Sequence, residues 1–463
     1  MKTVLQYLLG ILLLSRWEYS AQAQVTNVDT GESFTTIQAA IDDADTDDGD
    51  VIDLGTATYL PTTTVIINKS LTIRGNGGNT AIQPIVQGRG NTLTQAIFLI
   101  DAANIVIENI YFRVLRSEAD TRHVIRATTS NNFDNLLIIN NLIEVVDSTT
   151  SIALESSAIY LESLNSDDLV TIQGNTIRRE TIGALNFGRG VRILGGSAIV
   201  GGATNAESNV INGTYAIQIG SAGTTSIQNN DLIGLTVLTA PQAIATIGII
   251  DNSLNSGSNS IALEIKDNTY GGIVNIENNT LGGSYNIGVF ITRSNNVTIH
   301  NNTFNTSTDP FPIHIILSTK QRTDADATTQ TAFSTEAIIT GNTFNGSPST
   351  TSPLERGIAL INHNDVCDFG EVQIGGSGVE ANTFSSNLET YIELDSLTGS
   401  SATELFWSSF PAASHTTMTP VSQSFDATEN LFDVTGSVTP LRYSAMNNAQ
   451  RADLETKLVH RPD

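Results

Sequence analysis

The residues that could do chemistry lie in short runs of alternating apolar and polar residues, because alternation sends one set of side chains inward and presents the other to solvent. Lining up these runs places Lys266, Arg293 and His314 on successive repeats, where they form the best cluster available for a catalytic base. Eliminative cleavage of an acidic sugar needs such a base beside a group that neutralises the substrate carboxylate, a task that Ca²⁺ held by Asp and Glu also performs. The same alignment gives one outward row of Arg126, Glu162, Arg192, Gln218, Glu264 with Lys266, Thr292 beside Arg293, and His314, with Lys320 and Arg322 on the following loop. Within it Arg192, Glu162, Glu264, Lys320 and Arg322 are the candidate substrate contacts. Hydrolysis with inversion requires two carboxyls roughly 6.5–9.5 Å apart. Glu162 has Arg126 and Arg192 as its neighbours and Glu264 sits several repeats away, so a carboxylate pair would have to come from loops. A row of alternating charge also reads as a solvated ion ladder.

Other reactive residue types point to less. Asp42, Asp43, Asp45, Asp47, Asp48, Asp50 and Asp53 crowd one segment, but without the Gly and the terminal Glu that an EF-hand loop places among its ligands. They read as a solvated turn; Ca²⁺ stays open as a cofactor and none is certain. His123, His300, His363, His415 and His460 have no ligand spacing, so no metal site is expected. Cys367 is the only cysteine, which excludes an intramolecular disulfide and leaves burial and backbone pairing to hold the fold.

What must position these residues is a repeat. An Asn followed closely by a large apolar residue recurs as Asn109-Ile110, Asn141-Leu142, Asn175-Thr176-Ile177, Asn209-Val210-Ile211, Asn230-Asp231-Leu232, Asn252-Ser253-Leu254, Asn279-Thr280-Leu281, Asn302-Thr303-Phe304, Asn342-Thr343-Phe344 and Asn382-Thr383-Phe384, at spacings of 21 to 40 residues. A period in the low twenties lengthened by insertions marks a solenoid. Asn suits a corner because it tolerates left-handed backbone angles, and its amide can bond the Asn of the next rung, about 4.8 Å away. Ile37, Ala40, Ile41 and Ala44 share one face of a short helix that can cap the open apolar stack.

The phrases Val297-Thr298-Ile299-His300-Asn301-Asn302-Thr303-Phe304 and Leu169-Val170-Thr171-Ile172-Gln173-Gly174-Asn175-Thr176-Ile177 resemble the repeat of the pectin-lyase-like superfamily. The entry segment Phe34-Thr35-Thr36-Ile37-Gln38-Ala39-Ala40-Ile41 through Asn68-Lys69-Ser70-Leu71-Thr72-Ile73-Arg74-Gly75 is similar too. The resemblance covers about residues 33–396 and implies an all-β fold, a right-handed parallel β-helix with an N-terminal capping helix and a C-terminal cap. It says little of activity, since this fold hosts lyases, hydrolases, esterases, adhesins and spacers. The polygalacturonase set and the pectate-lyase Arg motif of that superfamily do not occur in the chain. Val200-Gly201-Gly202 and Ile374-Gly375-Gly376, each ahead of an Asn phrase, resemble rungs of bacterial surface proteins, and the tail from Phe425 resembles segments that follow β-helices in long surface proteins of Bacteroidetes type.

Charge narrows the partners. The chain carries 22 Lys and Arg against 47 Asp and Glu, a net −25, which repels nucleic acid, anionic lipid and polyanionic glycans unless divalent cations intervene, and makes the first two improbable partners. Lys2, the apolar stretch Val4 to Leu14 and Ala21-Gln22-Ala23 read as a signal peptide over residues 1–23, with no membrane span left after its removal. The expected organisation is an N-terminal cap over 24–49, a β-helix over 50–396 and a C-terminal cap or further module over 397–463. In that last part Leu405-Phe406-Trp407 can cover the final rung, Ala445 to Leu458 has helical spacing, and the ending at Pro462-Asp463 is abrupt enough to expect a longer native chain. The functional expectation is a secreted or outer-surface β-helix module that is glycan-interacting or adhesin-like, with an extracellular polysaccharide or cell-surface glycan as partner. The alternative is a polysaccharide lyase or glycoside hydrolase; an ice-binding or phage-spike role is a third reading.

Overall fold

The computed structural model describes residues 24–396 apart from segments 90–95, 116–122, 130–132, 147–155, 164, 180–187, 221–222, 240–244, 258–260, 267–271, 310–311, 319–333, 348–354, 363–367, 377, 386 and 389, together with strands at 424–426, 431–432 and 439–443. The signal segment, Lys320, Arg322, Cys367, His363, His415, His460, Leu405 to Trp407 and the pattern from Ala445 to Leu458 lie outside the described residues.

The chain is a right-handed parallel β-helix. Each rung carries a strand on each of three faces. Face 1 runs from Val51–Leu54 through Thr72–Gly75 and Val106–Glu108 to Asp368–Ile374 and Ser424–Asp426. Face 2 starts at Thr58–Tyr59 and Ile85–Arg89, and face 3 at Val65–Ile67 and Ala96–Ile100. Counted from Val51–Leu54, thirteen rungs stack in parallel register among the described residues. In rungs 6 and 7 single strands, Val210–Gly220 and Asp231–Thr239, run through faces 2 and 3 together, with a register shift between Asn212 and Tyr215 where the corner would be. These are the rungs from which the shortest Asn spacings in the sequence begin, 21 residues from Asn209 and 22 from Asn230, because one strand runs through both faces.

Alternation explains the interior. Face 1 sends two side chains inward per strand, as in Val170 and Ile172, Ile247 and Ile249, or Val274 and Ile276, all fully buried. Face 3 departs from simple alternation: three side chains per strand point inward, as in Val124, Ile125 and Ala127, because one residue is skipped between the paired positions His123↔Ser157 and Ile125↔Ile159. The extra position holds Ala158, Gly190, Ala216, Ala262 or Gly288 on most rungs. A Cβ on Gly190 would lie 2.5 Å from Ile211 Cγ2, and one on Gly288 2.5 Å from the His314 carbonyl, so small residues are a packing requirement there. Toward the C-terminal end the interior widens to a stack of Phe304, Phe344 and Phe384, with ring centroids 4.9 and 4.7 Å apart. At the other end α1 (Ile37–Asp42), capped by the Thr36 side chain on the Ala39 N–H, buries Ile37, Ala40 and Ile41 over the first rung. The antiparallel pair Val25–Asn27 and Ser33–Phe34 covers the edge of face 1.

The Asn phrases stack on one corner, between faces 1 and 2. Nine of them, Asn141, Asn175, Asn209, Asn230, Asn252, Asn279, Asn302, Asn342 and Asn382, form a continuous buried ladder. The Asn302 amide donates to Asn342 Oδ1 at 3.0 Å, to the Ile276 carbonyl at 2.8 Å and to the His300 carbonyl at 3.0 Å, while its oxygen accepts from the Asn279 amide and backbone N–H. The left-handed angle falls on the residue before: Asn140, Asn229, Asp251, Asn278 and Asn301 have φ of 53 to 57°, and Gly174 and Gly341 take the same place with φ of 65°. Two tasks that the sequence assigns to one Asn are thus divided between two neighbours. Asn109 has φ 58° and belongs to the left-handed set, so its phrase is off by one residue: Ile110 occupies the ladder position and takes only the backbone bond from Asn141 Oδ1.

Pairing does not stop at residue 396. Leu431–Phe432 and Thr439–Tyr443 continue faces 2 and 3 in register with Thr383–Phe384 and Thr390–Ser396. The sequence boundary was placed where the Asn phrases end, but backbone pairing does not depend on the ladder residue.

Candidate functional site

On face 3 the side chain held between two inward aliphatics points outward on every rung. Register places Leu99, Arg126, Tyr160, Arg192, Gln218, Val237, Glu264, Phe290, Ile316 and Ala359 in one column. Its N-terminal half is cationic and aromatic. Arg126 and Arg192, on the rungs either side of Tyr160, bring their guanidinium carbons to 5.7 and 5.0 Å from its ring centroid, a cation–π sandwich. The two arginines are two rungs apart, about 10 Å. His123 stacks on the same tyrosine with centroids 4.7 Å apart and planes 22° from parallel. The Tyr160 hydroxyl donates to Glu162 Oε2 at 2.7 Å. One rung on, Arg189 lies over the Tyr215 ring at 5.5 Å and its Nε donates to Gln218 Oε1.

The same three rungs are cationic on face 2. Arg113, Glu144 and Arg178 stand in register, and Glu144 is buried, accepting from Arg178 Nε at 2.7 Å and from the Tyr111 hydroxyl. Eight of the chain's 22 Lys and Arg lie between Arg113 and Arg192, among ten Asp and Glu, so any cationic character there is confined to where the outward arginines line up. Burial holds Tyr160 above the usual phenol range, and its hydrogen bond to Glu162 and that carboxylate's charge push further the same way; Arg192 and Arg126 oppose them. The phenol therefore stays protonated and acts as a donor, which makes Tyr160 a poor base. The C-terminal half of the column is apolar instead: Ile316 and Ala359 are buried although they point outward, and with Ile313 they pack against Phe290, Ile287 and Ile361.

The structure separates the predicted catalytic cluster. Only Lys266 of the three faces outward, its Nζ 3.5 Å from Glu264 Oε2. Arg293 sits just past the strand Ile287–Thr292 at the corner toward face 1, 4% exposed, with φ 47° and its N–H donating to Thr335 Oγ1. His314 is inside the helix. It occupies the extra inward position of face 3, fully buried between Phe304 and Phe344, with Nδ1 2.9 Å from the Tyr285 hydroxyl and Nε2 2.9 Å from the Asn345 carbonyl. Burial lowers it to about 4, the Asn345 bond opposing. Simple period-two alternation puts His314 in the outward row, whereas the residue skipped between Ile313 and Ile315 in the pairing turns His314 inward.

Among the candidate contacts, Arg192 is in the column. Glu162 is one outward position further along its strand, in register with Leu194, so Tyr160 takes the place assigned to it. The signal was available: Tyr160 lies between Ile159 and Leu161 as Arg126 lies between Ile125 and Ala127, and Arg192 between Val191 and Ile193. Glu264 is in the column but four rungs from Glu162, about 19 Å, too far for a carboxylate pair.

The Asp-rich segment is largely a set of turn acceptors. Asp50 accepts from the Asn27 amide and the Asp47 N–H, Asp48 from the Ser70 N–H, Asp29 from the Val51 N–H and Asp53 from Arg74 and the Gly77 N–H. Glu32, Asp43 and Asp45 bring carboxylate oxygens within 4.8 Å of one another, the one group of this kind among the described residues. No helix among the described residues is long and apolar enough to cross a membrane.

No family model matches the chain. A cell surface glycoprotein of Methanothermus fervidus is 34% identical over 125 residues, 27% of this chain and 20% of that protein, so the match spans about a fifth of the relative's length. Among solved structures, a mannuronic acid specific polysaccharide family 6 lyase from human gut microbiota aligns over 91% of both chains with 11% identity and a TM-score of 0.41. The Dettilon tailspike protein aligns over 75% of this chain and 62% of its own, with 13% identity and a TM-score of 0.34. Both likenesses are too distant to transfer a site or an activity.

Proposed function

We propose that the protein works outside the cell, secreted or on the outer surface, as a β-helix that holds an anionic extracellular glycan along the N-terminal half of face 3, binding it without cleaving it. The observation that carries this reading is the column Arg126, Tyr160, Arg192. Two guanidinium groups about two rungs apart offer paired donors to carboxylate or sulfate groups on a polymer lying along the helix axis, and Glu162 beside them accepts from sugar hydroxyls. A local cationic strip in a net −25 chain also selects against binding elsewhere on its surface. The M. fervidus surface glycoprotein supports an external location, and the resemblance to pectin-lyase-like and Bacteroidetes-type surface proteins is of a piece with it.

The lyase alternative requires a base at this column, and a tyrosine kept protonated between two arginines does not supply one. The test titrates the full chain with a polyuronate, a sulfated dextran and neutral dextran at low and high salt. Salt-sensitive binding to the two acidic polymers, lost in the Arg126→Ala/Arg192→Ala variant, is the expected result. Ultraviolet absorbance from unsaturated sugar ends would replace binding with elimination, and equal binding of neutral dextran would remove the site from these arginines.

A further inference from the structure

Face 1 turns a different surface outward, away from the arginine column. Register places Ile199, Ser226, Gly248, Asn275, Thr298 and Ile338 in one outward line on rungs 6 to 11. That line holds no charged side chain in a molecule of net −25; Glu277, His300, Asp251 and Glu336 stand along its margins. Ile199, Ile273 and Ile338 are 37, 45 and 41% exposed. Between the last two a shallow hollow of about 380 Å³ opens over Thr298. Gly248 is the informative residue. On face 3 the fold itself demands small residues at Gly190 and Gly288, but a Cβ on Gly248 would meet nothing nearer than Ile250 Cδ1 at 3.5 Å, an ordinary contact. Its backbone also lies outside the left-handed region. A glycine in mid-strand weakens a sheet and marks a place where another backbone approaches closely. Among the described residues none does so on the outer side of Gly248.

We propose that face 1 is the interface to a second copy of this chain, the two sheets packed face to face about a two-fold axis that runs along the strand Thr246–Ile250. Such an axis carries each outward line onto itself and exchanges rungs 6 and 10 and rungs 7 and 9. Ile199 of one copy then seats over the partner's Thr298, in the hollow between Ile273 and Ile338, and Ser226 faces Asn275. Gly248 meets its own copy, where the two backbones come closest. Glu277 and His300 fall opposite Gln228 and Gly201, and of the marginal groups only Asp251, at the corner, comes beside its own copy. Charge favours this occupant, since an uncharged face gives a polyion nothing to hold and two chains of net −25 meet with least repulsion where neither presents charge. Rungs 4 to 12 span about 38 Å and a five-residue strand about 13 Å, so the interface covers roughly 500 Å² per copy. About 1,000 Å² in total is the lower bound for a specific contact, the size of a weak and reversible dimer.

Sedimentation velocity of the full chain, over a range of concentrations and at low and high salt, tests this. A monomer–dimer equilibrium is expected, and it should tighten as salt screens the mutual repulsion of the two acidic chains, the reverse of the salt response of glycan binding by arginines. Gly248→Gln adds a side chain that the fold itself accommodates, so the melting midpoint should stay in place while the dimer weakens by at least about tenfold. Ile199→Asp, which brings a carboxylate into the hollow, should weaken it as much, and serves if the glutamine variant does not fold. A chain that stays monomeric at every concentration and salt overturns the interface, as does a dimer that survives in both variants. Neutral dextran held by a monomer and released by Ile199→Asp also overturns it, and gives face 1 to a neutral glycan instead.

Discussion

Two columns of this solenoid are built on the same 4.8 Å repeat and behave oppositely. In the Asn ladder the same residue recurs on nine rungs, and each amide spends its donors and acceptor on the rungs above and below and on face 1. In the outer column of face 3 the residue changes from rung to rung, Leu99, Arg126, Tyr160, Arg192, Gln218, Val237, and at Arg126, Tyr160 and Arg192 the side chains meet by ring face and charge, the two arginines partly open to solvent and the tyrosine between them buried. Repetition of a buried polar residue signals a structural column, since each copy satisfies the next. Departure from repetition on an outward column signals a site, because nothing in the stacking demands an arginine at one rung and a valine two rungs on.

The comparison breaks first in the interior. Asn302→Ala strands the Ile276 carbonyl and the Asn279 and Asn342 side chains in a buried corner, and should cost about 3 kcal/mol, read from the denaturant midpoint. Glycan binding by the folded fraction should be unchanged; a lost affinity at unaltered stability would turn the ladder into a binding surface.

A second interior test uses pH. His314 is held neutral by burial, down to about 4 in the fold against an ordinary value of about 6.5. The unfolded chain therefore takes up a proton first as pH falls through 6.5, and stability drops until the folded state also protonates near 4, by up to about 3 kcal/mol. Glu355, whose carboxyl burial raises, acts in the opposite sense, its contribution being lost as pH rises. His314→Phe, matching the neighbouring Phe304 and Phe344, should flatten the acid limb of a stability–pH curve. A limb unchanged in that variant would assign the acid sensitivity to other groups.

Outside, the signs exchange. Arg192→Ala should leave the melting midpoint nearly unmoved, within about 0.5 kcal/mol, and weaken sulfated-dextran binding by about tenfold, the equivalent of one charge-assisted contact. A large stability loss with intact binding would make the column a structural ladder like the Asn one. Smallest of all is Lys266→Ala. Its pairing with Glu264 is a long, single contact at 3.5 Å whose lysine end is open to solvent, of the kind that contributes at most about 0.5 kcal/mol, so neither stability nor affinity should change much. An affinity loss there would extend the site three rungs beyond Arg192, to Glu264.

Much of this was legible before any coordinates. Alternation, the Asn period and the entry segment specify stacked strands, because a half-buried strand and a stacked amide each leave a local pattern. The buried face of α1 followed from Ile37, Ala40 and Ile41, whereas Ala44, which the same spacing puts on that face, lies exposed beyond the end of the helix at Asp42. Arg126 and Arg192 could be placed outward for the same reason, each being a polar residue between two aliphatics. His314 and Arg293 could not. One lies at a skipped position and the other at a left-handed corner, and both are consequences of how the chain bends between faces.

By itself, then, the sequence determined which residues repeat and which faces are apolar, since those depend on neighbours within a few positions. Which outward residues stand on one line was decided by the tertiary structure. Residues 126, 160 and 192 are separated by loops of different lengths, and only the parallel register, set by hydrogen bonds between rungs and by the inward fit of Ile125, Ile159 and Val191, brings their side chains together. A slip of one residue would turn Tyr160 into the core and leave two arginines with nothing between them.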